Sequence, residues 1–143
     1  MASARTPAPA RWQAAAPLVR AEGAAVAAID VRIAAAEETA DIIRSEGGTS
    51  IALAADATDP EAVRRVIEAA LQAYGRIDIL HNNVGIGAVG GVADTDPTLW
   101  QRIFDTNVTS AFLACRGVLP IMVGQGGGAI INVSSIGSLG IAG

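Results

Sequence analysis

No lysine occurs anywhere in this chain, and histidine, cysteine and tyrosine occur once each, as His81, Cys115 and Tyr74. A single thiol excludes an intrachain disulfide and a cysteine-cluster metal site. A lone histidine with no second ligand beside it in sequence reads as a structural residue. The ten basic residues are all arginines, set against fourteen acids, for a net charge of −4. No basic stripe exists to neutralise phosphates, so nucleic acid is excluded as a partner. No window reaches the roughly 18 apolar residues of a bilayer span, which argues against a membrane as partner and leaves the cytoplasm as the default compartment. Aromatic residues make up only 3% while apolar residues make up 51%. The chain can therefore form a core, but one built from small side chains.

What is present falls into a rhythm of strand and helix from residue 24 onward. Ala24 to Ile29 is a short apolar run ending in Asp30, and Ala34 to Ser45 reads as a helix closed by Gly47 and Gly48. Ser50 to Ala54 is a second run, followed by Asp56. Asp59-Pro60-Glu61 opens the next helix with an N-cap, a proline at the first helical position and an acid in the first turn. Its apolar stripe is Val63, Val66, Ile67, Ala70, Leu71 and Tyr74, with one face buried. Ile77 to Leu80 is a third strand, leading into a glycine-rich loop from Asn82 to Gly91. Asp96-Pro97 repeats the helix-start signal, and Trp100, Ile103, Phe104, Asn107, Val108, Ala111, Phe112 and Cys115 form the stripe expected to face the core. Ala129 to Val133 is a fourth strand. Strands alternating with helices predict an α/β fold with a parallel sheet.

In such sheets ligands bind beyond the carboxyl ends of the strands. Polar residues gather at those ends: Asp30, Asp56, Asn82, Asn83, Ser134 and Ser135. Each has an ordinary reading beside the functional one. Asp30 is either a ribose-binding carboxylate or a solvated turn residue, with Arg32 two positions on. Asp56 is a ligand or a turn carboxylate before a capped helix. Asn83 and Gly85 are loop ties that admit a ligand close to the backbone, or a tight turn. Asn107 is the one polar residue on an apolar stripe. An unpaired buried amide costs about 1–3 kcal/mol, so it is expected to have buried partners.

Four segments, AADATD (54–59), GRIDILHNNVG (75–85), WQRIFDTNVTSAF (100–112) and GGGAIINVSS (126–135), resemble the short-chain dehydrogenase/reductase family in order and spacing. The resemblance covers residues 21 to 143. It implies a partial, Rossmann-like doubly wound dinucleotide-binding domain over that span. Residues 1–20, acid-free with Pro7, Pro9 and Pro17, are expected to be a leader outside the fold. The first central strand and the C-terminal strands of the family are not matched, which leaves four strands in two pairs. The family's glycine-rich turn would fall near residues 5 to 12, where the sequence is RTPAPARW. Its catalytic tyrosine and lysine belong further along than Gly143.

The resemblance also implies roles. Asp30 holds the adenosine ribose of NAD, its carboxylate disfavouring the 2′-phosphate of NADP. Asp56 and Ala57 contact the adenine, and Asn83 and Gly85 border the cofactor. Asn107 is the helix asparagine of the catalytic tetrad, and Ser135 is the serine that hydrogen-bonds the substrate carbonyl. The implied function is NAD-dependent hydride transfer between a small-molecule alcohol and a carbonyl. The alternative is a non-catalytic nucleotide-binding or interaction module of the same descent. A homo-oligomer formed through the helix from 97 to 123 is the expected assembly.

Overall fold

A computed structural model of the chain describes residues 23–88 and 92–134. The fold is α/β with parallel strands, and it divides after Ala54 into two compact units. The leader expected over 1–20 lies outside the described residues.

The first unit is a strand, a helix and a strand. Strand β1 (Ala25–Asp30) and strand β2 (Thr49–Ala54) pair in parallel, Ala25 opposite Thr49 and Asp30 opposite Ala54. Helix α1 (Ile33–Ser45) crosses between them and buries Ala36, Ala40 and Ile43 against the pair. Val26 and Ile43 form the centre of this small core, with Ile42 packed on it. Buried Ser50 donates from its hydroxyl to the carbonyl of Ala40 at 2.8 Å. Arg44 donates from Nη1 to the carbonyl of Ser50 and from Nη2 to Asp41. One serine and one arginine thus tie the helix to the strand that follows it.

The second unit begins with the capped helix the sequence predicts. In α2 (Pro60–Tyr74), Asp59 accepts the N–H of Glu61, and Gly75 ends the helix with a left-handed φ of 76°. A side chain at Gly75 would strain that conformation, which is why glycine stands there. Ala62, Val63, Val66 and Ala70 are buried, as the stripe predicts. Strand β3 runs over Ile79–Asn82, two residues later than its apolar pattern suggests. The reason lies at Ile77. Its backbone N–H donates to Oε1 of Gln125 at 3.0 Å, and its carbonyl accepts from Nε2 of the same side chain at 2.9 Å. A glutamine replaces the ladder there, and pairing with β4 (Ala129–Asn132) starts only at Ile79 opposite Ala129. Among the described residues the four strands make two parallel pairs, β1 with β2 and β3 with β4.

A continuous helix spans Pro97–Gly124. It consists of α3 (Pro97–Phe104), a five-residue π-turn (Asp105–Thr109) and α4 (Ser110–Gly124). In the π-turn the N–H of Ser110 donates to the carbonyl of Asp105 instead of Thr106. The Thr106 carbonyl accepts the Ser110 hydroxyl at 2.5 Å, so the side chain replaces the bond that the turn displaces. Of the stripe expected to face the core, Trp100, Phe104, Asn107, Val108 and Phe112 are exposed while Ile103, Ala111 and Cys115 are half-buried, and Ser110, Val118 and Met122 are the helix's buried residues. The helix is apolar around most of its circumference beyond Val108, so periodicity alone does not select the inner face. Where α4 crosses α2, a Cβ on Gly117 would lie 2.4 Å from Cδ1 of Ile67. By length and composition this helix could also cross a membrane, contrary to the expectation that no segment is apolar enough to do so; core helices of soluble proteins meet the same criterion.

Asp96 caps α3, its Oδ1 accepting the N–H groups of Thr98 at 2.7 Å and Leu99 at 3.3 Å. The Thr98 N–H, the Thr98 side chain and the Leu99 N–H hold its carboxyl below the ordinary carboxylate range. A folded-state value below the unfolded value of about 3.9 means that the ionised cap stabilises above roughly pH 4. That stabilisation disappears as pH falls through the folded value. Asp96→Asn keeps a good N-cap but has no charge to titrate. Urea melts from neutral pH downward should show wild type ahead of D96N at pH 7, with the gap closing below about pH 4. A gap constant with pH would mean that the charge contributes nothing.

Candidate functional site

Apart from Asn107, which lies in the π-turn, the described candidate residues lie at or just beyond strand ends, where the chain turns from the ladder into a loop. Asp30 is the last residue of β1. Its Oδ1 accepts the backbone N–H of Arg32 at 2.9 Å, closing a turn that begins the approach to α1. The Arg32 guanidinium stands 3.9 Å from the same oxygen, on a side chain 80% exposed. Asp30 is therefore a half-buried carboxylate with one oxygen held by its own turn.

Asp56 is exposed, and its Oδ1 accepts both the N–H of Thr58 at 2.9 Å and the Thr58 hydroxyl at 2.7 Å. These two bonds, the hydroxyl first, hold its carboxyl below the usual range against a small opposing effect of burial. Half-buried Ala57 lies inside that turn. The ordinary role, a turn carboxylate ahead of a capped helix, is visible here directly.

The third group is in the loop after β3. At the strand's end Nδ2 of Asn82 donates to Oδ1 of Asn132 at 2.8 Å, across the pair that the register places opposite. The same nitrogen lies 3.5 Å from Sγ of Cys115. Asn83, Val84 and Gly85 follow and are exposed. At Ile86 the loop is seized by Asn107. The Ile86 N–H donates to Oδ1 of Asn107 at 2.8 Å, and Nδ2 of Asn107 donates to the Ile86 carbonyl at 2.9 Å. The asparagine amide copies one rung of a β-ladder. Its position in the π-turn sets it beside the loop, and a Cβ on Gly85 would meet nothing nearer than Asn107 Oδ1 at 3.5 Å.

Asn107 therefore has the hydrogen-bond partners its position predicts, but it is exposed rather than buried. Its amide satisfies loop backbone instead of plugging the core. Ser135 lies outside the described residues, whereas Ser134 is exposed two positions beyond β4. Asn107, Gly85 and Ile86 are brought together; Asn83 stands in the same loop. Sequence reading did not single out Ile86 as the clamp's partner, because only its backbone takes part. It also passed over the Asn82–Asn132 bridge, for which asparagine at the matching end of two strands was the available signal. A cleft of about 440 Å³ between α2 and α4 is lined by Val63, Ile67, Leu71, Leu113 and Gly117 among others and contains none of these residues. No group of three or more potential metal ligands occurs among the described residues.

A profile of the family described as short chain dehydrogenase matches residues 13–141. The chain is 31% identical over 123 residues to the cyclohexanol dehydrogenase of Acinetobacter sp. (strain SE19), covering 85% of this chain and 49% of that enzyme. It is 37% identical over 123 residues to the 2-(R)-hydroxypropyl-CoM dehydrogenase of Xanthobacter autotrophicus, covering 83% and 49%. The crystal structure of an NAD+-bound xylitol dehydrogenase superposes with a TM-score of 0.86 at 30% identity, covering 91% of this chain and 50% of that one. The chain spans about half the length of these relatives.

Proposed function

The chain belongs to the short-chain dehydrogenase family, and from that premise we propose that it serves an oxidoreductase that moves a hydride between a small-molecule alcohol and a carbonyl, with NAD as cofactor. The observation that carries this reading is the clamp of Asn107 on Ile86, which fixes the loop containing Asn83 and Gly85. Gly85 carries no side chain, so a ligand can approach the backbone of that loop closely.

Taken one by one, the residues present suit parts of a nicotinamide dinucleotide. Oδ1 of Asp30 is held by Arg32, which leaves Oδ2 to accept ribose hydroxyls. Asp56 and Ala57 form a short, internally bonded turn suited to an adenine edge. Asn83 and Gly85 border the cofactor. When bound, the nicotinamide supplies or accepts the hydride. Asn107 is a positioning residue in this scheme, since both ends of its amide are taken by Ile86. Ser135 holds the substrate oxygen. The exposed side of the Pro97–Gly124 helix joins two copies, and the cytoplasm is the proposed location.

The test is a fluorescence titration with NADH, followed by its oxidation in the presence of a panel of ketones and aldehydes. Binding is expected with a dissociation constant on the order of 10 μM, about −7 kcal/mol. Binding accompanied by loss of the reduced-nicotinamide absorbance supports the oxidoreductase. Binding without turnover supports the non-catalytic nucleotide-binding module. Absence of binding up to millimolar NADH overturns both.

A further inference from the structure

Every residue of strand β4 is exposed, and its sequence, Ala-Ile-Ile-Asn, has no apolar–polar alternation. Burial holds such a strand weakly to one register, because register is specified where one face must lie inside. The competing arrangement is a shift of two residues. It returns every side chain to its own face and moves the strand by about 6.6 Å. In one direction it puts Ser134 opposite Asn82 in place of Asn132. A serine hydroxyl can accept from Nδ2 of Asn82 as the Asn132 amide does. The far end of the strand pair therefore does not choose its own register.

The near end does. The chain enters β4 from α4 through Gly126, Gly127 and Gly128. The N–H groups of Gly126 and Gly127 donate to the carbonyls of Val123 and Met122 at 3.1 and 2.9 Å, and a Cβ on Gly128 would lie 2.5 Å from Sδ of Met122. The turn is thus folded tightly onto the end of the helix. Gln125 stands at that junction, and its side chain takes both backbone groups of Ile77. The next residue at the entry to β3, Asp78, accepts the N–H of Ala129 at 2.8 Å. Helix end, turn and strand entry are tied together, and a two-residue shift of β4 pulls the amide off Ile77.

We infer that Gln125 is a positioning residue: its amide, seated on Ile77, fixes the register of β4 on β3 and so sets where Ser134 leaves the strand. The two polar ties then act in sequence. Gln125 selects the register at the entry, and the Asn82–Asn132 bond closes in that register at the exit. The consequence for chemistry rests on the oxidoreductase reading above, in which Ser135, next in sequence, holds the substrate oxygen. The register itself does not rest on that reading.

NMR of the whole chain, without cofactor, tests the register. Gln125→Met keeps the length of the side chain and removes both bonds. Amide protection at Val133, whose N–H donates to the Asn82 carbonyl at 2.9 Å, should fall about tenfold. Asn132, Val133 and Ser134 should each gain a second set of resonances, with the cross-strand contacts of the shifted register. Protection at Gln125 and Gly127, whose N–H groups bond to α4 carbonyls, should hold, which separates a lost register from a frayed helix. Gln125→Glu, which at neutral pH accepts from Ile77 but cannot donate to it, should fall between wild type and Q125M. One set of resonances in the wild-type register, with Val133 protection unchanged in Q125M, overturns the inference. If Q125M does not fold, Q125E decides, and wild-type protection at Val133 in Q125E overturns it. NADH titration and turnover of a carbonyl panel then read the consequence. Asp30, Asp56 and Asn83 lie off β4, so in Q125M the dissociation constant should change less than about twofold while turnover falls at least about tenfold. A wild-type chain that does not bind NADH overturns the oxidoreductase reading and leaves the register to be judged on the NMR result.

Discussion

Ile43→Ala should lower the stability of the first unit by about 3 kcal/mol, enough to leave β1, α1 and β2 substantially unfolded at room temperature. Ile43 is fully buried, and its companions at the centre are Val26 and the small residues Ala28, Ala36 and Ala40. Truncating a buried isoleucine removes its transfer free energy and leaves a cavity, at a cost of ~2–5 kcal/mol. Alanine neighbours have no side-chain freedom with which to fill the space. Two strands and one helix bury little apolar surface to begin with, so the margin is small. Gly48 adds to the constraint, since a Cβ there would lie 2.7 Å from Cγ2 of Ile43 and 3.1 Å from its carbonyl oxygen. Hydrogen exchange along β2 after the substitution measures the loss, with half-buried Ile42→Ala as the milder control. Protection unchanged in I43A would mean that the small core is not what holds this unit.

The small core was legible before any coordinates, because a chain with 3% aromatics and 51% apolar residues can only pack alanine, valine and isoleucine. Helix starts were legible too. Asp59-Pro60 and Asp96-Pro97 each supply a side-chain acceptor and a fixed φ, and both helices begin where those pairs stand. The parallel pairing followed from helical crossovers of ordinary length. The failures have equally local causes. Ile77 reads as strand by its side chain, but Gln125 takes its backbone groups from a position 48 residues away in sequence. No local pattern encodes such a contact.

The helix from Pro97 exposes a different limit. Of the eight residues in its expected inner stripe, Trp100, Phe104, Asn107, Val108 and Phe112 are exposed and only Ile103, Ala111 and Cys115 are half-buried. A π-turn has no residue signature, and with apolar residues on nearly every side the choice of inner face depends on tertiary packing. The demand that Asn107 find partners was sound physics. What the sequence could not convey was that the partner is loop backbone at Ile86, in the open, rather than a polar group in the core. A side chain that closes its own turn, as at Asp30 and Asp56, can be read from the sequence. The site is hidden where a side chain acts on anonymous backbone.

Cofactor choice is where Asp30 should act most strongly. In Asp30→Ser, affinity for NADH is expected to fall about 10- to 100-fold, whereas affinity for NADPH should hold or rise. Hydrogen bonds to a charged acceptor are worth about 1.5–3 kcal/mol, and every 1.4 kcal/mol is tenfold in affinity. Losing the carboxylate also removes repulsion against a 2′-phosphate. Arg32 then becomes available, because its guanidinium now stands 3.9 Å from Asp30 Oδ1 on a side chain 80% exposed. A serine is the right replacement, since its hydroxyl can still accept the Arg32 N–H and preserve the turn that Oδ1 now closes. Adding Arg32→Ala to the serine variant should cancel any gain toward NADPH while leaving the loss of NADH binding in place. Paired titrations with the two reduced nucleotides read both effects. Equal NADH affinity in wild type and D30S would show that the carboxylate at the end of β1 is an ordinary turn residue after all, its oxygen spent on Arg32 and on nothing else.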